Sequence, residues 1–283
     1  MSVSAFGPMS VGQILDRTFN LYRANFARFL AIVAVIMVPI NLIQIGIQLL
    51  ALRLPGQVDQ MGRPLGQGTE MFLALLLGNI FVILVLMVGQ SLSNGALIKS
   101  TSDSYLGRDV SVGHAYRMIL PRLGTLIWAS FLVAAVTGLG FMLCVVPGVI
   151  FSLWFCVTIP AVVAENRTAT DAMTRSKKLV AGNLGKAFVL GLVVVLIGFL
   201  MGGAAQLLGR LVGGFTANPV MALFLVQLFA LIAQVLATPI GAIAFILFYY
   251  DLRIRKEAFD LEMMSAAIEG TEPGIADAGT PMA

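Results

Sequence analysis

A chain of 283 residues that is 59% hydrophobic and only 11% charged, with a mean hydropathy of +0.94, is excluded from ordinary soluble domains, in which about a quarter of residues carry charge. Its net charge of +4 does not point to nucleic acid, because the basic residues stand at the ends of apolar runs and form no single stripe. Cys144 and Cys156 lie inside apolar runs and the one histidine, His114, has no second His or Cys at ligand spacing, so neither a disulfide framework nor a metal site nor a cofactor is expected.

From the N-terminus, Val11, Ile14, Leu15, Thr18, Phe19 and Tyr22 recur at the three-four spacing of an amphipathic helix, with Asp16, Arg17, Asn20 and Arg23 opposite. Residues 1 to 28 are read as a cytoplasmic amphipathic segment lying in the interface. Phe29 to Leu52 is uncharged and long enough to cross a hydrocarbon layer of ~30 Å, with a bend expected at Pro39. Arg53 to Glu70, rich in Gly and Pro, reads as an exposed loop, and Met71 to Ile98 as the second span. Lys99 to Arg122 follows as two short helices around a turn at Tyr105 to Arg108.

Leu123 to Ala164 holds no charge over 42 residues, which predicts two spans turning at Pro147-Gly148. Thr168 with Asp171 starts a short basic helix in which Asp171 can pair with Arg175 one turn on. Ala187 to Gly209 makes the fifth span, where Gly198 and Gly202 are spaced for close helix contact. In the last apolar run, Leu211 to Tyr250, the residues Gly213, Gly214, Asn218 and Pro219 mark a loop, and one long helix bent near Pro239 takes the rest.

Charge bias sets the topology. Six spans place Arg17, Arg23, Arg28, Lys99, Arg108, Arg117, Arg122, Arg167, Arg175, Lys177, Lys178, Lys186, Arg253, Arg255 and Lys256 on one side, leaving Arg53, Arg63 and Arg210 of the 18 basic residues opposite. The expectation is an all-α polytopic bundle in the cell (inner) membrane, with both termini cytoplasmic and amphipathic helices before spans one, three and five. Residues 29 to 262 form the membrane domain, its last helix extending into the cytoplasm, and 263 to 283 a disordered tail.

Gly12-Gln13-Ile14-Leu15-Asp16 with Tyr22-Arg23 and Phe26, then Val146-Pro147-Gly148, Pro160, Glu165, Ala172, Arg175-Ser176, Leu179 and Gly182, and finally Tyr249 through Glu257 with Phe259-Asp260-Leu261-Glu262, form a recognisable set. In these residues the chain resembles the bacterial integral-membrane family named after the membrane domain of glycerophosphoryl diester phosphodiesterases. The resemblance implies the membrane part of such proteins, with Asp251, Arg253, Arg255 and Glu257 as its signature tail. The catalytic barrel of the phosphodiesterases, which uses histidines and carboxylates, has no counterpart in a chain with one histidine, so no enzyme activity is expected.

Two further groups invite a functional reading. Asn41, Gln44 and Gln48 share one face of span one, and Gln227, Gln234 and Thr238 one face of span six, either as a polar path or as interhelical hydrogen bonding. Glu165 with Arg175, Lys177 and Lys178 makes an interface pair or a headgroup site. The principal expectation is a noncatalytic scaffold, regulatory or accessory module working through its basic face; the alternative is a transporter of a lipid-like or small polar solute between spans one and six. Partners are the bilayer, anionic headgroups and a membrane or cytoplasmic protein, with no nucleic acid.

Overall fold

The structure is a computed structural model and describes residues 8–53, 69–105 and 111–257. Most of the loop expected between Arg53 and Glu70, part of the turn expected at 105 to 108, and the tail at 263 to 283 lie outside the described residues. Every described element is helical: α1 (Val11–Ala24), α2 (Phe26–Arg53), α3 (Thr69–Tyr105), α4 (Val112–Ile119), α5 (Leu123–Leu143), α6 (Val145–Trp154), α7 (Thr158–Glu165), α8 (Ala169–Val180), α9 (Leu184–Gly214) and α10 (Pro219–Glu257). Six apolar stretches are long enough to cross a membrane: Phe26–Gln48, Ile80–Tyr105, Val112–Leu143, Val145–Glu165, Leu184–Gly214 and Pro219–Glu257. The protein is an all-α polytopic membrane bundle.

Polar residues set the starts of the short helices. Ser10 and Gln13 form a reciprocal capping box at α1, and Ser111 caps α4. Thr168 caps α8, its hydroxyl accepting the Asp171 N–H and donating to the Asp171 carboxylate at 2.6 Å. Asp171 is thereby held at the cap; Arg175 turns instead to Glu165 and Glu257, in place of the pair expected within α8.

Helix α10 is the central post. It packs along α9 and also touches α1, α2, α3, α7 and α8. Ile243, Ala244, Ile246, Leu247, Phe248, Tyr249 and Leu252 are fully enclosed, as a helix apolar on all sides must be. Asp251 and Leu252, near the end of α10, are buried because α1, α7 and α8 fold against it.

In a membrane, helix association depends on close packing more than on hydrophobic transfer. A Cβ on Gly209 would lie 2.7 Å from the Val226 Cα, and one on Gly213 3.2 Å from the Ala222 Cα, so these two glycines seat α9 on α10. Gly198 and Gly202 have nothing within 4 Å, which moves the close contact two to three turns along the helix from its expected place. Gly213, held by this packing, and Gly214 continue α9, so the connection to α10 is only Phe215 to Asn218.

Three further boundaries differ from expectation. The hairpin between α5 and α6 turns at Cys144, whose backbone is extended (φ −170°, ψ 159°), while Pro147 and Gly148 lie in the first turn of α6. Proline is tolerated there because a first-turn N–H has no helical partner. Gly148 admits the Phe141 ring, to which a Cβ would approach within 2.4 Å. Second, α3 runs unbroken through Lys99 to Tyr105, since nothing after Gly95 breaks it and Ser100, Thr101, Ser102 and Asp103 are buried.

Third, span four breaks at Phe155 to Val157. Pro160 supplies no N–H for the Cys156 carbonyl and its ring crowds that group, so α6 and α7 are separate helices. A helix end inside a membrane needs partners for its free carbonyls. The Ser176 hydroxyl of α8 donates to the Trp154 carbonyl at 2.7 Å, and Lys177 lies 4.5 Å above the Trp154 ring.

Candidate functional site

At one end of the bundle the basic segments converge. Arg17 of α1 donates to the Tyr105 hydroxyl at 3.1 Å, Tyr105 stacks on Tyr250 with centroids 5.6 Å apart, and the Tyr250 hydroxyl shares a 2.5 Å hydrogen bond with Ser102. Beside them Glu165, at the end of α7, receives the Tyr249 hydroxyl at 2.5 Å, Arg175 Nε at 3.0 Å and Arg167 Nε at 2.5 Å. Arg175 reaches on to Glu257 at 2.6 Å, which also accepts from Arg253 at 3.1 Å. Burial works against the charge on Arg175, but Glu257 and Glu165 outweigh it and raise its pKa above the ordinary guanidinium value.

A second cluster fastens the N-terminus. The Asp251 side chain is wholly buried and accepts from the Met9 N–H at 2.6 Å, from Lys186 Nζ, and from Arg255 Nε at 3.1 and 3.2 Å. Lys186 and Arg255 also donate to the Met9 carbonyl, at 2.5 and 2.9 Å. Lys256 caps α8 by donating to the carbonyls of Lys178 and Ala181, each at 2.6 Å. Asp251, Arg253, Arg255 and Glu257 thus brace α10 against its neighbours.

Toward the other end, α2 and α10 flank a partly open cavity of about 220 Å³ lined by Asn41, Gln44, Ile45, Gln227, Ala230, Leu231 and Gln234, none of them charged. Gln227 Nε2 donates to Gln48 Oε1 at 2.5 Å, Asn41 Nδ2 to the Met37 carbonyl at 2.8 Å, and Gln234 Nε2 lies 4.0 Å from the Met37 sulfur. Among the described residues Gln44 has no hydrogen-bond partner. At 1.5 Å rise per residue, Gln227 lies ~12 Å along α10 from Pro219 and Gln234 ~26 Å from Asp251, so the cavity is inside the span and remote from the ionic end.

No family model, curated protein or solved structure matches this chain.

The two amide stripes therefore meet across one space, with Asn41, Gln44, Gln227 and Gln234 on its wall and Gln48 bonded to Gln227. Thr238 stands apart, its hydroxyl donating to the Gln234 carbonyl within α10. Glu165 and Arg175 are paired at 3.0 Å; Lys177 instead covers Trp154, and Lys178 is exposed. Two contacts have no counterpart among the sequence expectations: Lys186 as the partner of the buried Asp251, and Tyr249 on Glu165. A basic residue two positions into an apolar helix was a usable signal for the first. Among the described residues no three His, Cys, Asp or Glu side chains gather as a metal site would need.

Proposed function

We propose that this membrane protein is a noncatalytic carrier that receives an uncharged polar solute, or the polar head of a lipid-like molecule, between its first and last spans. One observation carries the reading: four carboxamides from two helices line a partly open space of about 220 Å³ within the span. Carboxamides both donate and accept, which suits hydroxyl, amide or ester groups. An anion held there without a cation would be costly to desolvate. The scaffold reading has less support, because Arg175, Lys186, Arg253, Arg255 and Lys256 are engaged by this protein's own carboxylates and carbonyls. The family resemblance belongs to the same proposal and is compatible with either role.

The test is flux in proteoliposomes across a panel of uncharged polyols and neutral lipids. Wild-type protein should accelerate at least one of them, and the triple variant Asn41→Leu, Gln44→Leu, Gln48→Leu should not. Unaccelerated movement of the whole panel by folded wild-type protein overturns the carrier reading.

A further inference from the structure

The cavity has a neighbour on the other side of α2. Gln44 forms part of its wall and also lines a space of about 50 Å³ between α2 and α3, together with Ile40, Ile47, Phe81 and Val85. Ile40 and Val85 in turn belong to a larger space of about 330 Å³ that continues along the same two helices to Ile36 and Leu92. Gly89 forms its floor: a Cβ there would come within 2.3 Å of Ile40 Cδ1, so the helices close beneath the groove. Side chains on its rim face outward, Phe81 being 67% and Leu84 50% exposed, as on a surface open to the acyl phase.

Two chemistries are therefore joined at a single residue. On one side of Gln44 is an uncharged amide cavity, on the other a groove without charged residues. From Ile47 to Ile36 the groove is ~16 Å long at the α-helical rise, about half of a ~30 Å hydrocarbon core and so the reach of a chain from one leaflet. Its direction also fits. The amide cavity lies toward the end remote from the ionic cluster, and the groove runs from Gln44 back toward the middle of the span, as the chain of a lipid in that leaflet does.

Resting on the carrier reading, we infer that the solute is an uncharged single-chain amphiphile: its hydroxyl-, amide- or ester-bearing head occupies the Asn41–Gln44–Gln227–Gln234 cavity and its chain lies in the α2–α3 groove. Gln44 is the residue at the junction of head and chain. The lack of a cation in the cavity excludes the phosphate-bearing counterpart, whose charge would be left without a partner.

The inference is tested with a monoacylglycerol carrying a photoreactive group on its chain, applied to the full protein in nanodiscs, with labelled peptides identified by mass spectrometry. Labelling should fall on α2 between Ile36 and Ile47 and on α3 between Phe81 and Leu92. Unlabelled monoacylglycerol should compete, and a lysophosphatidylglycerol of the same chain should not. The pair Gln44→Leu, Gln234→Leu should weaken competition about tenfold, as expected for lost polar contacts. Val85→Trp, a change at the open rim that leaves the amide cavity intact, should abolish labelling by filling the groove. Equal competition by both lipids, or labelling that persists in folded Val85→Trp protein, means that the groove only faces bulk lipid and overturns the inference. Polyol flux without groove labelling refutes the amphiphile while leaving the carrier; loss of both refutes both.

Discussion

Replacing Asp251 by Ala should destabilise the protein more than any other single change at the ionic end. Its side chain has no exposed surface, that of Lys186 is 14% exposed and that of Arg255 36%. Removing one member of a buried pair costs ~3–5 kcal/mol, chiefly because the other charge stays desolvated. The Lys186 ammonium and the Met9 N–H would both lose the acceptor that holds them. Arg255 adds little to this, since an ion pair exposed to that degree contributes ~1 kcal/mol or less. Arg255→Gln should therefore cost ~1 kcal/mol or less, and Asp251→Asn should fall between, its amide oxygen still able to accept from Met9. Unfolding by dodecyl sulfate in mixed micelles, followed through Trp128 and Trp154, measures the three variants against wild type. Limited proteolysis near Met9 should accelerate in Asp251→Ala as α1 is released. An Asp251→Ala protein within ~0.5 kcal/mol of wild type, or no worse than Arg255→Gln, would refute the assignment of the N-terminal anchor to this carboxylate.

Gly209→Val should cost ~1–3 kcal/mol by pushing α9 off the α10 backbone, whereas Gly198→Ala, where a Cβ meets nothing, should be neutral or stabilise by up to ~1 kcal/mol in the same unfolding assay. Ser176→Ala should cost ~1–3 kcal/mol by leaving the Trp154 carbonyl without its donor, and hydrogen exchange should rise at residues 155–158; unchanged exchange would show that the break in span four is held by other contacts. If the basic end is cytoplasmic, as its charge bias predicts, tags at the two termini should both be shielded from membrane-impermeant reagents in intact cells, and labelling of either from outside would overturn that orientation.

Hydropathy and charge placement determined the number of spans, the single long last helix and the clustering of basic segments at one end, because these follow from the length of a span and the solvation of each residue taken alone. Helix periodicity likewise placed Asn41, Gln44 and Gln48 on one face and Gln227 and Gln234 on another. Tertiary structure alone decided that these faces meet, because register and rotation between two apolar helices depend on where their backbones can approach; the same holds for α9 on α10, whose close contact falls at Gly209 and Gly213 and not at Gly198 and Gly202. It also decided that Asp251 is a buried bracing group and that Glu257, at the exposed end of α10, pairs with Arg175 of α8. A carboxylate's partner can lie far along the chain, as Lys186 and Met9 do for Asp251, and local spacing holds no record of that distance.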